Sequence, residues 1–133
     1  MKQYALKHAG TFSVFLLSFV TPIVPMLVLT GVLIFCDAVT GVWRAVKTNQ
    51  KITSKKLGGT VNKFVLYSLA ILLTHGVETV FTALQFIHMT QIAAGFICMV
   101  ELKSVYENIS DITGLNIWKY LSSRVDALRG IEH

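Results

Sequence analysis

The chain has 133 residues, 53% of them hydrophobic and only 14% charged, with a mean hydropathy of +0.62 and a formal net charge of +5. A soluble domain carries about 25% charged residues, so the composition excludes an ordinary water-soluble globule and points to an integral membrane protein. Cys36 and Cys98 both lie in apolar runs without CxxC spacing, so no metal or redox motif is evident and no cofactor is expected.

Residues 9–36 contain no charged side chain, and residues 64–100 contain one, Glu78. Apolar stretches of about twenty residues match a hydrocarbon core of roughly 30 Å. A first helix is expected over about residues 3–20. Lys2 and Lys7 ahead of Phe12–Val20 resemble the start of a signal peptide, but no small-x-small cleavage site follows, so the segment is expected to be retained. Thr21-Pro22-Ile23-Val24-Pro25 then interrupts the helical pattern. A second helix is expected over about 26–47, unless residues 9–36 form one kinked span. A polar, basic connection occupies about 48–58, and a third helix about 60–86. After a weak break near His88, a fourth covers about 90–109 and stops at Asp111–Gly114. Leu115, Trp118, Leu121, Val125 and Leu128 then give an amphipathic helix over about 115–130. The expected fold is all-α: a single membrane domain, 1–133, with three to four membrane helices within 1–110 and an amphipathic tail over 111–133.

Basic residues set the expected orientation. Arg44, Lys47, Lys51, Lys55, Lys56 and Lys63 gather around the central connection, and no acid lies between Asp37 and Glu78. Basic loops stay cytoplasmic, which places the central loop and the C-terminus inside. Lys2 and Lys7 favour an inside N-terminus too, hence four crossings, or three plus an interfacial helix. The loop explains the net charge, so nucleic acid is not an expected partner, whereas the lipid bilayer is.

Asp37, Glu78 and Glu101 interrupt apolar segments. A charge at the bilayer centre costs roughly 2.5–3.5 kcal/mol on insertion scales, and such groups usually face a bundle interior or water. By the helical rise, Asp37 lies about 15 Å and Glu101 about 12 Å from the cytoplasmic ends of their helices, so the two could share a level. Glu78 lies nearer the opposite end. Asp37, Thr40, Gly41 and Arg44 share one helical side, as do Glu101, Ser104 and Asn108, and His75, Glu78 and Thr82. Gly41 offers a close approach to a neighbouring backbone. These stripes read equally as fixed glue within one bundle or as surfaces that line water when copies assemble. No GxSxG, HExxH or phosphate-binding loop is present, and no enzymatic activity is expected.

Three segments carry a resemblance. CDAVTGVWRAVK, from Cys36, is similar to the D-x-x-T-G-x-x-x-A element of the phage holin family, of the toxin-secretion and phage-lysis type. SKKLGGTVNK, Ser54 to Lys63, resembles that family's basic Ser…Gly…Lys stretch. VELKSVYENISDITGLNI, Val100 to Ile117, resembles its E-x-x-S-x-x-E-N ending. The order and spacing agree over about residues 28–117; the N-terminal helix and the amphipathic tail do not align. The resemblance implies Asp37, Thr40, Gly41, Ser54, Gly59, Lys63, Glu101, Ser104, Glu107 and Asn108 as motif positions. It further implies a self-associating, multi-pass protein of the bacterial inner membrane that opens lesions for a partner cell-wall hydrolase or toxin. Asp37, Thr40, Gly41, Arg44, Glu78, Glu101, Ser104 and Asn108 are the candidate oligomerisation or pore residues. The alternatives are a small ion- or proton-coupled transporter or channel subunit, or a membrane anchor whose tail binds a partner.

Overall fold

The computed structural model describes residues 2–51, 54–115, 119 and 122–124, with side chains left out at 2–9, 54–57 and 82. Among them the chain is helical throughout, without strands. Helix α1 spans Lys2–Val20, α2 Val24–Lys47, α3 Ser54–Val80 and α4 Met89–Thr113. Three helical stretches are long and apolar enough to cross a membrane: Gly10–Lys47, Gly58–Val80 and Ala83–Thr113.

The expected break at Thr21–Pro25 is not a loop. A single 3-10 turn, Thr21–Ile23, joins α1 to α2. Both prolines fall in first turns, where a backbone N–H has no intrahelical partner and its loss is harmless. Thr21 Oγ1 donates to the Leu17 carbonyl at 2.6 Å and keeps the turn closed. The resulting 38-residue apolar run would measure about 57 Å if straight, nearly twice a hydrocarbon core. It therefore cannot be a single perpendicular crossing along its whole length. Its α1 part meets the bundle at its last turn, where the Phe19 ring packs against His75 at a centroid distance of 4.9 Å. Further up α1, Phe12, Phe15 and Leu17 are exposed.

Two boundaries move. Helix α3 starts at Ser54 and ends at Val80, not at about 60 and 86, which shortens the basic connection. Residues Thr82–Ile87 form a 3-10 turn instead of a helix end. Thr82, expected on the His75–Glu78 side of one helix, thus lies beyond α3. Helix α4 ends later than expected, at Thr113, where Gly114 adopts the left-handed conformation (φ 72°) and its N–H reaches the Ser110 carbonyl at 2.8 Å. A glycine at this position pays no Cβ penalty. The amphipathic tail lies mostly outside the described residues.

Helices α2, α3 and α4 form an up-down-up bundle in which α2 and α4, running parallel, share the most extensive contact and α3 runs antiparallel to both. The end of the bundle holding Ile23 has an apolar core of Ile23, Ile71 and Ala94, flanked by Val20, Leu27 and Ile97. Thr30 and Ile34 carry the buried seam along α2, with Thr30 Oγ1 3.8 Å from Cys98 Sγ. Both cysteines are free thiols. Toward the other end the seam turns polar.

Candidate functional site: an ion network between three helices

Asp37 on α2, Lys63 on α3 and Glu101 on α4 meet at one level of the bundle. Lys63 Nζ donates to Asp37 Oδ2 at 2.9 Å and to Glu101 Oε2 at 3.1 Å. The sequence places Lys63 in the cytoplasmic basic cluster, but with α3 starting at Ser54 it stands nine residues into the helix, about 14 Å along its axis. That is the depth at which Asp37 and Glu101 were expected to meet. Counting from the true start of α3 would have revealed the bridge; the Gly58–Gly59 pair, unfavourable inside a helix by about 1 kcal/mol each, hid that start.

Asp37 is the better hydrogen-bonded of the two carboxylates. Ser104 Oγ donates to its Oδ1 at 2.6 Å, and Asn108 Nδ2 to the same oxygen at 3.1 Å. Asn108 also reaches Thr40 Oγ1 at 3.1 Å, and Thr40 returns its own proton to the Cys36 carbonyl at 2.8 Å. The stripes read on α2 and α4 are therefore two sides of one intrachain seam. Gly41 is buried in it, and a Cβ there would sit 3.6 Å from Asn108 Nδ2, an ordinary contact. A methyl group fits; anything longer would displace Asn108.

Glu101 is placed differently. Its side chain is 0% exposed, against 17% for Asp37 and 38% for Lys63. Its Oε1 accepts no hydrogen bond among the described residues. Tyr67, one turn beyond Lys63 on α3, interacts with Glu101 through its hydroxyl. Two carboxyl groups thus share one ammonium inside an apolar bundle. Removing one partner from such a buried arrangement typically costs about 3–5 kcal/mol, because a charge is left without cover.

The remaining candidates lie apart. Arg44 Nη1 pairs with Asp111 Oδ2 at 3.3 Å, and Lys47 Nζ donates to the Ile112 carbonyl, tying the end of α2 to the end of α4. Glu107 is exposed and pairs at 3.6 Å with Lys103 one turn earlier, away from the network. Gly59 is exposed with open space around it, and the Ser54 side chain lies outside the described atoms. Glu78 sits at the opposite end, fifteen residues beyond Lys63 on α3, about 22 Å by the helical rise. There its Oε2 accepts from the Thr90 N–H at 2.9 Å and from the Thr90 hydroxyl, capping the first turn of α4. Glu78 stands within α3, eleven residues before α4 begins at Met89, so no local capping signal in the sequence marks that role.

Among the described residues no group of three or more His, Cys, Asp or Glu could hold a metal. The fold and its seam define a polytopic helical membrane protein in which Asp37, Lys63, Glu101, Ser104 and Asn108 are folded inward on one another. The sequence pattern of the bacteriophage holin family matches residues 14–130. The chain belongs to that family, whose members permeabilise membranes. No curated protein and no solved structure gives a significant match.

Proposed function

We propose that this holin is a homo-oligomeric permeabiliser of the bacterial inner membrane that releases a cell-wall hydrolase or a toxin, with the basic connection and the C-terminus on the cytoplasmic side. The observation that carries the reading is the Asp37–Lys63–Glu101 network. The bundle gathers Asp37, Lys63, Glu101, Ser104 and Asn108 on one internal seam, while large apolar side chains make up much of its exposed surface. In that form the protein rests in lipid without a leak.

Helix α3 is the element that leaves. Among the described residues α3 buries one, Ile71, against four on α2 and five on α4, and its polar ties to the other helices are Lys63 at one end and His75 and Glu78 at the other. Withdrawing α3 bares Asp37, Glu101, Ser104 and Asn108 on the α2–α4 pair. Those groups are stable only against water or against a neighbouring copy, so opening and assembly become one step. The test is release of a small dye from liposomes containing the purified full-length protein. Release above a threshold protein-to-lipid ratio supports the reading. Correct insertion without leakage at any ratio, or saturable transport of one solute across an otherwise tight membrane, overturns it.

A further inference from the structure

At the end of the bundle away from Lys63, the last turns of α3, the first turns of α2 and α4 and the two 3-10 turns line an open cavity of about 240 Å³. His75 and Glu78 line it from α3, Gln85 and Gln91 from the far side, and Pro22 and Met26 form an apolar wall. Both hydrogen bonds of Glu78 fall on Oε2, so Oε1 accepts none among the described residues. His75 Nε2 stands 2.9 Å from the Phe19 carbonyl oxygen, which can only accept, so Nε2 donates and Nδ1 is the ring nitrogen left for a ligand. The chain has no Lys or Arg between Lys7 and Arg44, nor between Lys63 and Lys103. Every element around the cavity falls within those two intervals. The Glu78 carboxylate therefore has no lysine or arginine to balance it, and only the His75 and His88 imidazoles act on it electrostatically.

We propose that this cavity binds a primary ammonium group, with Glu78 Oε1 as its counter-charge and the Gln85 and Gln91 carboxamide oxygens as further acceptors. A bare metal ion suits the site less well. It offers one carboxylate and one imidazole, and its volume is several times the roughly 30 Å³ of a water molecule. The Pro22–Met26 wall matches carbon atoms next to the ammonium. The position selects the source of such a group. Glu78 lies two residues before the end of α3 and Thr90 at the second residue of α4. The 23-residue apolar span Gly58–Val80 is about 34 Å long, close to the hydrocarbon thickness. The cavity thus stands at headgroup level, where an ethanolamine phospholipid presents its ammonium; a free soluble amine shares that chemistry.

The experiment uses the full-length protein in mixed micelles of phosphatidylethanolamine and phosphatidylcholine, with retained lipid counted by native mass spectrometry, and a parallel titration with free ethanolamine. The two lipids differ at the headgroup only in that three N-methyl groups of phosphatidylcholine replace the three ammonium protons of phosphatidylethanolamine. The wild type retains phosphatidylethanolamine in preference to phosphatidylcholine. Glu78→Gln reduces that preference roughly tenfold, as expected when a charge-assisted contact becomes a neutral one. The glutamine carbonyl can still accept from Thr90, and circular dichroism checks that the helices persist. Gln91→Leu reduces the preference without touching the cap. Displacement of the lipid by ethanolamine shows that the amine alone suffices; retention of the lipid without ethanolamine binding shows that the rest of the headgroup is needed, and both support the site. Equal retention of the two lipids by the wild type, or an unchanged preference in both variants, overturns it.

Discussion

Replacing Lys63 with methionine tests the network directly. Methionine keeps the length of the side chain and removes the ammonium, so the 2.9 Å contact to Asp37 and the 3.1 Å contact to Glu101 are lost together. Two carboxyl groups then face each other in the bundle, one of them 0% exposed. Breaking a buried pair costs about 3–5 kcal/mol. The Lys63 side chain is 38% exposed, so the low end, about 3 kcal/mol, is the appropriate figure. At 1.36 kcal/mol per decade this shifts the balance between closed and open forms roughly 150-fold toward the open one. In a liposome titration the leakage threshold of Lys63→Met should fall well below that of the wild type, and in expressing cells permeabilisation should begin earlier. Lys63→Arg, which can still donate to both carboxylates, should stay near the wild-type threshold. Asp37→Asn should be milder than Lys63→Met, because Ser104 and Asn108 can still donate to the amide oxygen and Lys63 keeps Glu101. If Lys63→Met, inserted at wild-type levels, leaks at the wild-type threshold, the network does not hold the bundle closed and the reasoning fails.

Thr30→Cys places a second thiol beside Cys98, whose Sγ lies 3.8 Å from the present hydroxyl. In a Cys36→Ser background, its oxidation should link α2 to α4 and leave dye release intact if α3 is the moving helix; loss of release on oxidation would show that α2 and α4 must part. Gly41→Ala should be nearly neutral, because its Cβ meets Asn108 at an ordinary 3.6 Å. Gly41→Leu should cost about 1–3 kcal/mol by overpacking, read as a lowered thermal midpoint in detergent. The Arg44–Asp111 pair is partly exposed at 29% and 56%, and a double-mutant cycle on it should give a coupling under about 1 kcal/mol. Removing residues 115–133 should leave liposome leakage in place; its abolition would assign the tail to the permeabilising machinery.

The membrane class was legible in composition, because hydrophobic length is set by bilayer thickness and needs no tertiary information. The polar stripes were legible too, since residues three and four apart share a helical face wherever the helix goes. Asp37 and Glu101 could even be placed at one level by counting residues. What they met there was not legible. Lys63 reads as a loop charge until α3 is seen to begin at Ser54, and a helix start inside a Gly-Gly segment depends on packing that local propensity does not encode. The prolines mark where the helix is interrupted, between Val20 and Val24, but not how: their rings break a helix interior but sit without cost in a first turn, and only the course of the backbone shows a single 3-10 turn there. Depth separates Glu78 from the other two acids in the sequence, but a sequence shows a charge in an apolar run, not its neighbours. The fold gives it Thr90 and the first turn of α4 to cap, whereas Asp37 and Glu101 share an ammonium. Face and depth are properties of one helix; the partner that covers a buried charge is a property of three, and only their packing decides it.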